Sequence, residues 1–497
     1  MATPVIAGFH PDPSICRVDD TYYLANSSFE YAPGVPVHRS TDLLTWTQIG
    51  NVLTRPSQLA PHAGTASTGI YAPTLRHHDG RFWMVTTNVS EMRRGHLIVS
   101  AEQPEGPWTD PVYVTGTVGI DPDLAWDETG VCHLTWASFH PDLRGIASVP
   151  IDPATGAMLA EPRLLWNGTG LAAPEGPHLY RVGEWWYLLL AEGGTERGHA
   201  VTIARARTLD GPFEAAPHNP ILTHRSTDHP VQNTGHADLV ELADGSWAMV
   251  YLGVRPRGWT PKFHVNGRET FLAGVDWADG WPVVNERRFP VTPQDHSFAD
   301  RFESPELDPR WVAPGTFPAA FARWEGRGRL VLVRPPRPPR APALLLTRAR
   351  DSQWTAQARL DTSSGTGRFL VRIDSDHWYG LTAGADGVEA TVAIGPAVSA
   401  AARMPRPAGR TVTLRITVRD SDRSTAHGEP REPDLVELAV VDDGGTCDVL
   451  GTFDGRYLST EVAGGFTGRM LGVELVDGEV ALEEVSYSAH PGRDTPS

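Results

Sequence analysis

The apolar residues of this chain fall in short runs broken by turns, and over the first 290 residues these runs repeat. Five stretches share one pattern: DPSICRVDDTYYLANSS from Asp12, APTLRHHDGRFWMVTTN from Ala72, DPDLAWDETGVCHLTWAS from Asp121, EGPHLYRVGEWWYLLLAEGG from Glu175 and HADLVELADGSWAMVYLG from His236. Each opens on a short polar or proline-containing turn. A short strand follows, then a turn carrying Asp or Gly, then a more apolar strand such as FWMVTT or WWYLLLA. The starts lie about 50 to 60 residues apart, which leaves room for two further strands in each unit. A β-sandwich could show chance hairpin similarity, but five matching hairpins favour a five-bladed β-propeller over residues 1–290. FPVTPQDHSFADRF then reads as a linker, and residues 297–490 as an antiparallel β-sandwich of the concanavalin-like kind, with alternating strands such as WTAQARLD, RFLVRID and TVTLRITV. The expected fold class is all-β: a five-bladed β-propeller followed by an antiparallel β-sandwich. RPPRPPRAPA, inside the second half, reads as a plain surface loop rather than an SH3-type ligand.

Composition narrows the function classes. The chain has 497 residues and a net charge of −17 with no long single-sign run, so neither nucleic acid nor a membrane surface is an expected partner. No segment is apolar over 18 residues. MATPVIAGFHPD lacks the basic start and apolar run of an export signal, so the expected location is cytoplasmic. Cys16, Cys132 and Cys447 are far apart and odd in number, and are expected to be buried structural thiols. His77, His78, His224 and His229 show no shared face and are expected at surface or structural positions.

The candidate chemistry begins at GFHPDPSICR. Asp12 stands between Pro11 and Pro13, which leaves its backbone little freedom. That suits a tight turn, and it suits a carboxylate that must point one way. The propeller decides between these, because residues just before the inner strands converge at one mouth of the axis. Asp12, Tyr71 with Ala72, Asp121, Glu175 and His236 would meet there. Plain packing would not gather three acids at one point. Two opposed carboxylates are the equipment of glycoside hydrolysis, and a third can raise the pKa of its neighbour. Phe29, Tyr31 and Tyr71 are candidate sugar-stacking walls, or core residues.

GFHPDPSI, SSFEYAPGVPVHRSTDL, GIYAPTLR, GIDPDL, PEGPHLY, AEGGT, GHADLV and GRETFLAGVDW, in this order, resemble the glycoside hydrolase family 43 β-xylosidases and α-L-arabinofuranosidases. LSTEVAGGFTGRMLGVEL resembles the end of the sandwich domain attached to β-xylosidases of that family. The resemblance implies a five-bladed propeller that hydrolyses with inversion. It implies Asp12 as general base, Glu175 as general acid and Asp121 as the residue that tunes the acid. Arg268 would bond sugar hydroxyls, and Phe29, Tyr71 and Ala72 would line the pocket. His236 matches the axial histidine near which some members hold a calcium ion; no cofactor is required. The expected activity is release of xylose from the non-reducing end of xylo-oligosaccharides, with an α-L-arabinofuranosidase on arabinoxylo-oligosaccharides as the alternative. Self-association into a homo-oligomer is compatible with this reading. A sandwich lying against the mouth would close a groove into a pocket, and Phe466 in GGFTG belongs either at that rim or in the sandwich core. Departures from the family pattern, such as Tyr71 where tryptophan is common, bear on the choice of sugar. A retaining enzyme of the sucrose-hydrolase kind would carry Glu-Cys at the acid, whereas Gly176 follows Glu175 here.

Overall fold

The computed structural model describes residues 3–334, 341–421 and 433–490. From Ser14 to Asn285 the chain forms five antiparallel sheets in succession, each built from strands in chain order, with only the short strand Tyr31–Ala32 left out of the first. Their inner strands are Ser14–Val18, Thr74–His78, Gly119–Trp126, Glu175–Val182 and Gln232–Glu241. The third sheet carries an extra short strand, so that both Ala157–Met158 and Arg163–Trp166 pair with Gly145–Asp152.

The repeat reads in register across the inner strands. Pro13-Ser14-Ile15, Pro73-Thr74-Leu75, Pro122-Asp123-Leu124, Pro177-His178-Leu179 and Ala237-Asp238-Leu239 take equivalent places. The five aliphatic residues are all buried, each in a different apolar cluster. Those clusters fill the gaps between neighbouring sheets, and one of them joins Ile15, Tyr22 and Leu24 of the first sheet to Val240, Val250 and Leu272 of the fifth. Burial between sheets therefore runs around a closed ring. The N-terminal segment adds to the closure, with Val5 N donating to Thr270 O at 2.9 Å.

Residues 298–489 form two further antiparallel sheets, of eight and six strands. Trp354, Ala356, Ala358 and Leu360 alternate inward from one and meet Phe369, Val371, Tyr379 and Leu381 of the other. This is a β-sandwich, its core set by period-2 patterning. The end of the expected linker is already part of it, because Phe298–Asp300 pairs with Val480–Ala489.

Cys16 and Cys132 are buried, as expected, but Cys447 is not. It begins Cys447–Asp454, the edge strand of the larger sheet, and stays partly exposed there, with Arg415 of the Thr411–Arg419 strand donating to its sulfur at 2.6 Å. His224 and His229 also depart from expectation, since their rings lie 3.8 Å apart. Most of the proline-rich loop lies outside the described residues. Among those described, no helix is long and apolar enough to cross a membrane.

Candidate active site

The first residues of the inner strands, or those just before them, place the polar residues. Asp12, Asp121, Gly176 and His236 hold equivalent corner positions, with φ of 51°, 55°, 56° and 42°. Left-handed backbone at one residue kinks the chain there and re-aims the side chains beside it, as bulges do at Asp121, Gly176 and His236. Glu175 is therefore not the counterpart of Asp12, because Gly176 is. Glu175 stands one residue earlier, as Tyr71 does before Ala72. A β-carbon on Gly176 would lie 3.0 Å from His236 Nε2, so glycine is what lets the two corners approach.

Asp12 is 5% exposed. Its Oδ2 accepts from Ser27 Oγ at 2.5 Å and its Oδ1 from Arg268 at 3.1 Å. Burial acts to raise its pKa, but Arg268 foremost, then His236 and Ser27, outweigh it and hold the carboxyl below the usual range. Arg268 is the dominant partner at neutral pH. Burial lowers His236 to about 4, so its imidazole is neutral there, and its Nδ1 is 3.6 Å from Asp12, beyond hydrogen-bond distance.

Glu175 moves the other way. Burial and then the charge of Asp12 push it up to about 7, against Arg268. Asp121 is raised well above the carboxylate range by burial, then by Glu175 and Asp12, although its Oδ2 accepts from Gly176 N at 3.2 Å. Asp121 and Glu175 thus titrate as a pair that retains a proton near neutrality. The mouth holds one carboxylate kept ionised beside a carboxyl pair kept partly protonated.

Aromatic rings wall this site. Tyr71 and Phe466 are half-buried and sit 5.8 Å apart, edge to face, while Phe29 backs both at 5.3 and 5.7 Å. Phe29 is 1% exposed and Ala72 3% exposed, so they support the wall from behind. Tyr31 is fully buried against Phe9 and is a core residue. Phe466 comes from the sandwich, and its backbone N–H donates to Ser67 Oγ at 2.8 Å. The Arg268 guanidinium carbon lies 5.6 Å from the Phe29 centroid and 5.3 Å from that of Phe466. Arg268 also donates to Thr195 Oγ1 at 3.0 Å. Its buried Nε has no partner among the described residues. Ser27 and Thr195 stand inside SSFEY and AEGGT, so the motifs contained them. Their roles appear only once the chain folds them onto Asp12 and Arg268.

The axis beneath is closed by a cation of the chain's own. Arg76 donates to Asp238 at 2.7 Å and to Asp123 at 2.8 Å, and both carboxylates are fully buried. Tyr180 and Ser14 complete the ring around Asp238, at 2.5 and 2.8 Å. Calcium takes six to eight oxygen ligands. Asp12 is bonded to Arg268 and Ser27 and the acids below to Arg76, so among the described residues the protein groups near His236 do not by themselves form a calcium donor set.

Residues 1–282 match the family described as glycosyl hydrolases family 43, and residues 299–484 match the β-xylosidase C-terminal concanavalin A-like domain. A protein of Butyrivibrio fibrisolvens named xylosidase/arabinosidase is 46% identical over 294 residues, covering 57% of this chain and 56% of its own length. A non-reducing end α-L-arabinofuranosidase of Bacteroides ovatus is 46% identical over 288 residues, covering 57% and 53%. The chain thus matches about half the length of these curated relatives. Among solved structures, a xylan β-1,4-xylosidase of Bacillus halodurans aligns with TM-score 0.86 and 28% identity over 98% of this chain and 100% of its own. A Bacteroides ovatus family 43 structure aligns with TM-score 0.86 and 32% identity over 99% and 100%.

Proposed function

Because this chain belongs to glycosyl hydrolase family 43, we propose that it is an exo-acting, inverting glycoside hydrolase that releases xylose from the non-reducing end of xylo-oligosaccharides. The five consecutive sheets are read as the five blades of a propeller. One observation carries the chemistry: Asp12 is held ionised by Arg268 while Glu175, at the same mouth, is pushed up to about 7. Those are the protonation states that a general base and a general acid need. Asp12 takes a proton from water as its oxygen bonds to the anomeric carbon. The glycosidic C–O bond breaks, and Glu175 gives its proton to the leaving oxygen. Asp121 acts on Glu175 through charge and on Gly176 through its hydrogen bond. Arg268 offers its guanidinium to a sugar hydroxyl, and Tyr71 and Phe466 flank the sugar. The exo mode is supported by Phe466, which reaches the mouth from the sandwich and narrows a groove toward a pocket.

The α-L-arabinofuranosidase reading is the alternative, favoured by the Bacteroides ovatus relative's name at 46% identity. Proton NMR of early product tests the mechanism: a β-xyloside should give α-xylose first, and β-xylose first would mean a covalent intermediate instead. The sugar is decided by kcat/KM on xylobiose against an arabinofuranosyl-decorated xylo-oligosaccharide. A preference above about tenfold for the second, roughly 1.4 kcal/mol in the barrier, would make the alternative correct.

A further inference from the structure

His224 and His229 lie in the segment that leads from the fourth sheet to the inner strand Gln232–Glu241, and Glu286 follows directly after the outer strand Trp281–Asn285 of the fifth. The fold brings the three together. Nδ1 of His224 and Nδ1 of His229 both face the carbonyl oxygen of Val231, at 2.8 and 3.1 Å. A carbonyl can only accept, so His224 carries its proton on Nδ1 and presents a lone pair at Nε2 when neutral. That Nε2 lies 3.0 Å from Glu286 Oε2, one acceptor against another. The second carboxylate oxygen is fixed by the Tyr251 hydroxyl at 2.9 Å. Val231 N also faces His229 Nδ1, at 3.2 Å, so the His229 tautomer is free to follow whatever its other nitrogen meets.

Imidazoles whose Nδ1 is held by a carbonyl, next to a carboxylate held by a hydroxyl, are arranged as metal ligands with their outer shell in place. One ligand atom from each of the three residues lies within 4.8 Å of the others. A tetrahedral ion with bonds of about 2.0–2.2 Å needs spacings of about 3.3 Å, which small side-chain rotations supply. We propose that His224, His229 and Glu286 bind a divalent transition metal ion of the zinc class. Two nitrogens and one carboxylate suit zinc or cobalt, whereas calcium and magnesium ask for oxygens. His224 is buried, while His229 and Glu286 are partly exposed, so water can complete the coordination. The ion would clip the 223–231 segment to the end of the fifth sheet, just upstream of the strand that carries His236.

The test uses the whole chain, stripped with a chelator and titrated with Co2+. The expected result is one Co2+ per chain, seen as visible d–d absorption and displaced by Zn2+, with a rise in Tm on Zn2+ addition. Glu286→Gln and His229→Gln should each lose the band and the Tm response, with circular dichroism confirming that they fold. Tyr251→Phe, which removes only the outer hydroxyl, should weaken binding by about 10–100-fold. Absence of the band in the wild-type chain at millimolar Co2+, or wild-type affinity in both ligand variants, would overturn the site and leave His224–Glu286 as an ion pair.

Discussion

Asp12 is buried and Glu175 half-buried, their surroundings drive them apart, and each shift makes a separate prediction. Asp12→Asn and Glu175→Gln keep size and shape but end proton transfer. Each should lower kcat on xylobiose by about 10²–10⁴ with unchanged circular dichroism; near-wild-type turnover would remove that residue from the mechanism. The pH profile of kcat/KM should be a bell. Its acid limb belongs to Asp12, which must be ionised, and lies below the ordinary carboxylate range because Arg268 lowers it. Its basic limb belongs to the Glu175–Asp121 pair and falls as pH rises through about 7, because the acid must keep its proton. Asp121→Asn removes a charge whose coupling to Glu175 is seen in Asp121's own rise, and such coupling is mutual. The basic limb should therefore move to lower pH; an unmoved limb with full activity would make Asp121 a purely structural support for Gly176. The three acids could be found from motif and repeat because their spacing is sequential. Ser27 and Thr195 could not be singled out, since a hydroxyl gains its role only from the partner that folding brings within 3 Å.

At the scale of the strand, the repeat was legible because Pro and Leu recur at fixed offsets from each corner. The frame was off by one in the fourth unit. Glu175 begins the string that most resembles the others, but the left-handed corner falls on Gly176. The third and fourth inner strands carry the same β-bulge, between Ile120 and Asp123 and between Glu175 and His178, which sets the corner on Asp121 and on Gly176, and a bulge leaves no periodic trace in hydrophobicity. Arg76 was passed over for a similar reason. In LRHHDG it reads as an ordinary strand cation, and only the ring of inner strands sets it between Asp123 and Asp238. Arg76→Met would leave both carboxylates buried without their cation. The expected loss is about 3–5 kcal/mol, seen as a lower midpoint in urea; an unchanged midpoint would mean that water reaches the axis and screens the acids.

Across the whole molecule the two halves are bound by backbone as well as side chains. Tyr31–Ala32 pairs with Ala313–Pro314, Arg348 donates to Phe9 O at 2.7 Å, and His264 faces Glu461 at 2.8 Å. Gly468 approaches Asn266 so closely that a β-carbon would lie 2.4 Å from its carbonyl oxygen. The hydrophobic pattern divides the chain at the linker, and the family resemblance alone implies that the sandwich lies against the mouth; the individual contacts were not legible, because each joins residues far apart in the sequence. Phe466→Ala should lower kcat/KM on xylobiose by about tenfold, roughly 1.4 kcal/mol, chiefly through KM, while the acids' pH limbs stay in place; unchanged kinetics would return Phe466 to packing alone. With Tyr71 on one half and Phe466 on the other, neither half holds the aromatic wall of the mouth complete. On the proposed function, trading the downstream half for that of a relative would carry the acids over intact and still change which sugars are accepted.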